Sequence, residues 1–377
     1  MPVSQEHLDI LCHYHDDYVA GPVEYLGTAG GYSGAIFWKV KGAKGEFCLR
    51  RWAPLYPTLE QLQFIHAVLW YAHEEGFRKV PQPIETLEYL SYVADKRCFW
   101  QLEPWMRGAA DFRKRPNPER IASAMIALAE FHQSVRDFPL VRSEGGSSLL
   151  LSHEKALLEW NSRRFQQLRH AIEQRKTENR RLTTAFSEPK VLFISDLSDS
   201  NGSGVGRIGN VATIAFPLPS WEENPLPTLA LGILDSVEAI HRVLLLQLVR
   251  CGNYSVPLQP CIRDIHAEHV YFVQDQVAGF IDFEAMQADN VAVDVARLLG
   301  SLTTRDPLGW VLGLAAYESV RPLSAEEREM VYLCRKSHLA VTALRWLDYI
   351  FTQESSVKCS ANMFHRLKDM ETCLEYF

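Results

Sequence analysis

Asp264 and Asp282 bracket a segment whose pattern is that of a β-hairpin, with apolar alternation over 270–272 and 277–281 around the turn Gln274-Asp275-Gln276. Closure of such a hairpin brings the two carboxylates together. Phosphoryl transfer needs few groups: a carboxylate that orients an attacking hydroxyl, a second that holds Mg²⁺ against the phosphates, and a cation on the phosphate oxygens. Asp264, on the loop led in by Pro257 and Pro260, suits the first role. Asp282, directly after an apolar strand, offers the hard oxygen that Mg²⁺ prefers. The same window also contains His266 and His269, so Asp264, His266, His269 and Asp282 have the ligand types of a transition-metal site in a hydrolase. That second reading leaves the features upstream without a purpose.

Those features are elements of a small sheet. Residues 23–40 read as strand, glycine turn, strand, with Gly27, Gly30, Gly31, Ser33 and Gly34 in the turn. A further strand spans 46–52, a helix capped by Thr58 spans 58–75 with Leu59, Leu62, Ile65, Leu69 and Ala72 on one face, and two more strands are expected at 87–94 and 97–103. Beyond Pro104 the pattern is mostly helical. Asn117-Pro118-Glu119 opens a helix that runs to about residue 134, and Ser324 with Glu327 has the spacing of a capping box. The stretch 186–227 interrupts this territory with a Gly/Ser/Asp-rich run between two apolar patches, the composition of an inserted hairpin or loop. Its Gly202-Ser203-Gly204-Val205-Gly206 lacks the spacing and the βαβ surroundings of a dinucleotide fingerprint.

In order, these pieces resemble the aminoglycoside phosphotransferase and choline-kinase-like family, a branch of the protein-kinase fold. Ile262-Arg263-Asp264 sits where kinases have His-Arg-Asp, His269 stands at the family's metal-binding Asn, and Asp282-Phe283-Glu284 matches the Asp-Phe-Gly or Asp-Phe-Glu position. Asp294-Val295-Ala296-Arg297 is similar to the family's following Asp-Leu-Ala-Arg helix, whose aspartate supports the catalytic loop. The resemblance implies an α+β, two-lobed fold: a small antiparallel N-lobe sheet with one helix over 1–104, and a mostly helical C-lobe over 105–377. It implies ATP, or GTP, as phosphate donor, Mg²⁺ or Mn²⁺ as metal, and a hydroxylated small molecule as acceptor. By the same resemblance Gly27, Gly30, Gly31 and Ser33 form the nucleotide loop, and Arg50 takes the place of the kinase lysine with Glu60 as its ion-pair partner. Glu103 and Trp105 belong to the hinge, Asp264 and Asp282 are catalytic, and Asp282 with His269 holds the metal. The chain departs from the family at Ile262 and at His269, whose imidazole suits softer metals better than an amide oxygen does. A nucleotide-binding pseudokinase without turnover is the alternative that these departures raise.

Bulk composition agrees with a small-molecule partner. The chain has 377 residues, 47% of them hydrophobic, enough for two packed lobes, and its formal net charge of -7 argues against gripping nucleic-acid phosphates. Eight scattered cysteines without a CxxC pair read as reduced thiols of a cytoplasmic protein. The polar start lacks a secretory pattern, and no stretch approaches the roughly 20 apolar residues that span a bilayer.

Overall fold

The computed structural model describes residues 6–28, 34–140, 143–187, 225–304, 306–352 and 361–374. They form two compact units, one of 1–158 with 242–339 and one of 159–241 with 340–377.

The first unit starts with two short helices, α1 (Glu6–Leu11) and α2 (Asp16–Val19), followed by an antiparallel sheet. Its strands are β1 (Val23–Gly27), β2 (Ile36–Gly42), β3 (Gly45–Arg51), β4 (Val93–Asp95) and β5 (Cys98–Pro104), in the order β1-β2-β3-β5-β4. Alternation along the strands gives the sheet two different faces. Trp38, Val40, Phe47, Leu49, Trp100 and Leu102 lie on one and pack against Ile10, Leu11 and Tyr14 of the leading segment. The register Phe37↔Arg50, Lys39↔Cys48, Cys48↔Glu103 and Arg50↔Gln101 sets the remaining side chains on the other face.

Against that face runs α3 (Leu59–Glu74), whose cap is Thr58: its Oγ1 accepts from the Gln61 amide at 3.2 Å. The strand expected at 87–94 is reduced to β4. Thr86 turns the chain instead, donating its amide to the Leu90 carbonyl at 2.8 Å and accepting the Leu90 amide on its hydroxyl at 3.1 Å, while Tyr89 adopts φ 58.

After the sheet come α4 (Pro118–Ser134), capped by Asn117, then β6 (Glu144–Gly145) and α5 (Ser148–Leu158). The chain returns to this unit through the end of α7 (Leu226–Gly252) and makes β7 (Val256–Pro257), β8 (Gln259–Cys261), β9 (Val270–Val273), β10 (Gln276–Phe280) and β11 (Gln287–Asp289). Three antiparallel pairs result: β6 with β7, β8 with β11, and β9 with β10. Next are α8 (Ala292–Leu302), α9 (Pro307–Glu318) and the first part of α10 (Ala325–Thr352). The capping box of α10 is reciprocal: Ser324 Oγ accepts from the Glu327 amide at 3.1 Å and Glu327 accepts from the Ser324 amide at 3.0 Å.

The second unit consists of α6 (Ser162–Ser187), most of α7, the end of α10, and α11 (Ala361–Leu374). Leu168, Ile172, Ile233, Leu234, Val237, Leu344 and Leu347 are buried in it. Arg169 pairs with Asp235 and Glu238 at 2.6 and 2.8 Å, and Arg175 donates to the Ile350 carbonyl at 2.6 Å. Most of the expected insert, 188–224, lies outside the described residues. Among those described, no helix is long and apolar enough to cross a membrane.

Candidate active site

Two pairings fix the loops that carry the carboxylates. Strands β8 and β11 tie the outer ends together, and the β9–β10 hairpin ties the inner ends, so Asp264 and Asp282 fall in the two connecting loops. The Ile281 amide donates to the His269 carbonyl at 3.0 Å and extends the hairpin up to Asp282. Arg263 and Asp282 adopt φ 67 and 66, a left-handed conformation that costs a non-glycine residue about 1 kcal/mol or more and is held here by the surrounding bonds.

Asp294, fully buried at the start of α8, supplies much of that hold. It accepts from the amides of Ile262 at 2.7 Å and Arg263 at 2.6 Å, and from His132 Nε2 at 3.1 Å. His132 Nδ1 in turn takes the Tyr317 hydroxyl at 2.8 Å. The carboxylate thus exchanges water for three donors, which is what makes a buried charge tolerable. His132 and Tyr317 carry no sequence signal, since His132 reaches Asp294 from α4 and Tyr317 reaches His132 from α9.

His269 joins the two loops. Its Nδ1 donates to the Asp264 carbonyl at 2.9 Å, which fixes the tautomer and leaves a lone pair on Nε2. That nitrogen lies 3.5 Å from Asp282 Oδ2. Burial first, and the neighbouring His266 second, hold the His269 pKa below its ordinary value. Two lone pairs therefore face each other across a gap, an arrangement that a cation between them relieves. Asp282 Oδ1 is buried and has no hydrogen-bond partner among the described residues. An orphaned carboxylate oxygen beside an imidazole lone pair fits a divalent cation, which would be held by Asp282 and His269.

Arg50 approaches from β3. Its Nη2 lies 2.7 Å from Glu284 Oε2 and 3.6 Å from Asp282 Oδ1, and its guanidinium stacks on Trp52 at 3.6 Å. The expected partner Glu60 is exposed in the first turn of α3. It is Gln61, one position further round the helix, that faces inward and donates to the Glu284 carbonyl at 3.1 Å. Glu284 is thus the anion on Arg50, in place of Glu60. Its signal was its position two residues after Asp282.

Glu103 lies on the same sheet face, opposite Cys48, and accepts from Gln101 Nε2 at 2.6 Å. Burial pushes its carboxyl up to about 7, against the opposing pull of Arg50. The Trp105 ring sits under Lys39 Nζ at 4.8 Å and lines an open groove of about 720 Å³ with Tyr18, Lys44, Glu46 and Arg107. Gly27 ends β1 with φ 65 at a bulge. Gly30, Gly31 and Ser33 lie outside the described residues.

Asp264 itself is half exposed and held by Arg297, whose Nη2 donates to its Oδ1. The sequence offered Arg297 only as the end of the Asp294 motif; one helical turn on, it faces the same loop.

A model of the family described as "Phosphotransferase enzyme family" matches residues 25–201 and 206–330. A stretch of 95 residues is 36% identical to a homoserine kinase of Gluconobacter oxydans (strain 621H), covering 24% of this chain and 30% of that protein. Less than two thirds of that relative is therefore spanned. An aminoglycoside phosphotransferase from Alicyclobacillus acidocaldarius subsp. acidocaldarius DSM 446 superposes over 100% of this chain and 95% of its own, with TM-score 0.59 and 15% identity. An amicoumacin kinase in complex with AMP-PNP, Ca²⁺ and Ami superposes over 100% and 94%, with TM-score 0.55 and 11% identity. At such identities the likeness is one of fold, and it is the protein-kinase-like α+β fold of these phosphotransferases.

Proposed function

The chain belongs to the phosphotransferase enzyme family, and from that premise we propose that it moves the γ-phosphoryl group of ATP to a hydroxyl of a small molecule. In this reading residues 1–104 bind the nucleotide and 105–377 carry the catalytic and metal loops. Asp264 orients the acceptor hydroxyl and takes its proton. A bond forms between the acceptor oxygen and Pγ while the bond from Pγ to the β–γ bridging oxygen breaks, and ADP leaves. Arg50 neutralises phosphate oxygens and is kept in place by Glu284, and Asp294 holds the Asp264 loop through its amides. The glycine turn at Gly27, Gly30, Gly31 and Ser33 covers the phosphates, while Glu103 and Trp105 border the base. A Mg²⁺ or Mn²⁺ ion, when bound by Asp282 and His269, supplies positive charge against the phosphates.

The observation that carries this reading is the buried Asp282 Oδ1 with no hydrogen-bond partner, 3.6 Å from Arg50 and on a carboxylate whose other oxygen faces the His269 lone pair. Such an oxygen is costly unless a ligand completes it.

An acceptor screen with ATP, run with Mg²⁺ and with Mn²⁺, tests the reading. Turnover is expected only with an added hydroxyl compound. Asp264→Ala is expected to lower kcat by about 10²–10⁴-fold, the usual contribution of a positioned base, with nucleotide affinity within about threefold of wild type. Undiminished turnover in that variant removes Asp264 from the mechanism. Nucleotide binding without turnover on any acceptor returns the chain to the pseudokinase alternative.

A further inference from the structure

Arg297 makes contacts that support of the loop alone does not require. Asp294, one turn earlier on α8, already holds the loop amides. The Arg297 guanidinium instead reaches the side chain of Asp264, and its second nitrogen donates to the ring of His338 on α10. That ring must present a lone pair to accept the bond. Among the described residues Asp264 is therefore the one carboxylate on Arg297. Both side chains open to solvent, Asp264 at 47% and Arg297 at 27% exposure, so the pair is reachable from outside.

The consequence is a conflict within the site. The carboxylate that must accept a hydroxyl proton has one oxygen occupied by a guanidinium. The flat fork of an arginine binds a carboxylate through two parallel bonds, and a second carboxylate arriving there competes with Asp264 for it. A polycationic acceptor gains nothing from Arg297 and is repelled by it.

Resting on the kinase reading above, we infer that Arg297 is the receptor for a carboxylate on the acceptor, and that the acceptor class is a small hydroxy acid or hydroxy amino acid. Entry of that carboxylate draws the guanidinium from Asp264 and frees the base once a correct acceptor is bound. The acceptor carboxylate undergoes no chemistry. The hydroxyl oxygen takes Pγ, its proton passes to Asp264, and ADP leaves as before.

Matched acceptors test this directly: L-homoserine against 3-aminopropan-1-ol, L-threonine against 1-aminopropan-2-ol, and L-serine against ethanolamine, where each pair differs by the carboxylate alone. The wild-type protein is expected to prefer the acid in at least one pair. In Arg297→Gln the ratio of kcat/KM for acid over amine is expected to fall by about 10- to 100-fold, the range for a lost bond between charged groups. Arg297→Lys is expected to restore part of that ratio. A purely structural Arg297 would lower both acceptors together and leave the ratio fixed, which overturns the inference.

A measurement on the wild type alone guards against a variant that does not fold. L-2-aminobutyrate, which keeps the carboxylate and lacks the hydroxyl, is expected to compete with the acceptor, whereas propylamine is not. Absence of competition by the acid overturns the inference. Turnover confined to carboxylate-free alcohols overturns it and leaves the kinase reading standing. Silence on every acceptor, with either metal, removes both.

Discussion

Cys48 and Glu103 face each other across β3 and β5, on the sheet face that carries Arg50, and burial there pushes the Glu103 carboxyl up to about 7 from an ordinary 4.5. Arg50 and the bond from Gln101 pull the other way, and Asp282 adds to the rise. Between the unfolded and folded values the folded chain holds one more proton than the unfolded one. Stability therefore declines as pH rises through that window and levels off above it. The full decline is on the order of 3 kcal/mol, at about 1.4 kcal/mol for each unit between 4.5 and 7. Glu103→Gln removes the titration, so the wild type is expected to lose stability relative to the variant by about that amount between pH 5 and 8 in urea unfolding. Equal pH slopes for the two proteins would show that Glu103 ionises freely. Single residues could be singled out in the sequence where a local motif marks them, as for Asp264, Asp282 and Asp294, and in the fold Asp282 meets His269 while Asp294 takes the amides of the Asp264 loop. Residues were illegible where the partner is remote: Glu284 meets Arg50 across a separation of 234 residues, and only the folded chain selects it over Glu60.

Helix starts were the most legible elements, because a cap is a local hydrogen bond: Thr58, Asn117 and Ser324 each accept an amide three residues on. The strand expected at 87–94 failed for a tertiary reason. Its apolar run includes Leu87, Tyr89 and Leu90, which are exposed around the Thr86 turn and not paired in the sheet. Close approach of backbones is equally invisible to periodicity. The segment after β5 runs beside β9, where Ala109 and Phe272 exchange backbone bonds at 3.1 and 3.0 Å. Gly108 permits this, since a Cβ there would stand 2.2 Å from the Phe272 carbonyl oxygen. Gly76 makes a fair control: its φ of 89 nearly equals the 90 of Gly108, yet a Cβ would meet nothing within 4 Å. Gly76→Ala is expected to cost about 1–2 kcal/mol for the left-handed backbone alone. Gly108→Ala is expected to cost about 2 kcal/mol more, because the clash opens the two backbone bonds between Ala109 and Phe272. Urea midpoints at constant slope measure both, and equal losses would mean that the β9 edge gives way freely.

For the molecule as a whole, no single cut in the chain separates the compact units, because each is assembled from two segments. Windowed periodicity reports which residues share a helix face but not which distant helix covers it, so the sequence yielded a sheet followed by helices and left the pairing of 159–241 with 340–377 unread. The second unit depends on that pairing. Val341, Leu344, Leu347 and Ile350 on the end of α10 are buried, Arg164 on α6 meets Asp348 at 3.3 Å, and Arg175 caps the Ile350 carbonyl. Deleting 340–377 strips the partner from α6 and α7 while leaving every residue of the Asp264 and Asp282 loops in the chain. Leu168, Ile172, Ile233, Leu234 and Val237 then lose apolar cover, at about 25 cal/mol for each Å² returned to water. The truncated chain 1–339 is expected to lose helix content beyond the deleted residues and to associate, read by far-ultraviolet circular dichroism and by light scattering on gel filtration. A soluble monomer that keeps the helicity of 162–187 and 226–252 would show that these helices stand without the C-terminal segment, and the unit would have to be redrawn.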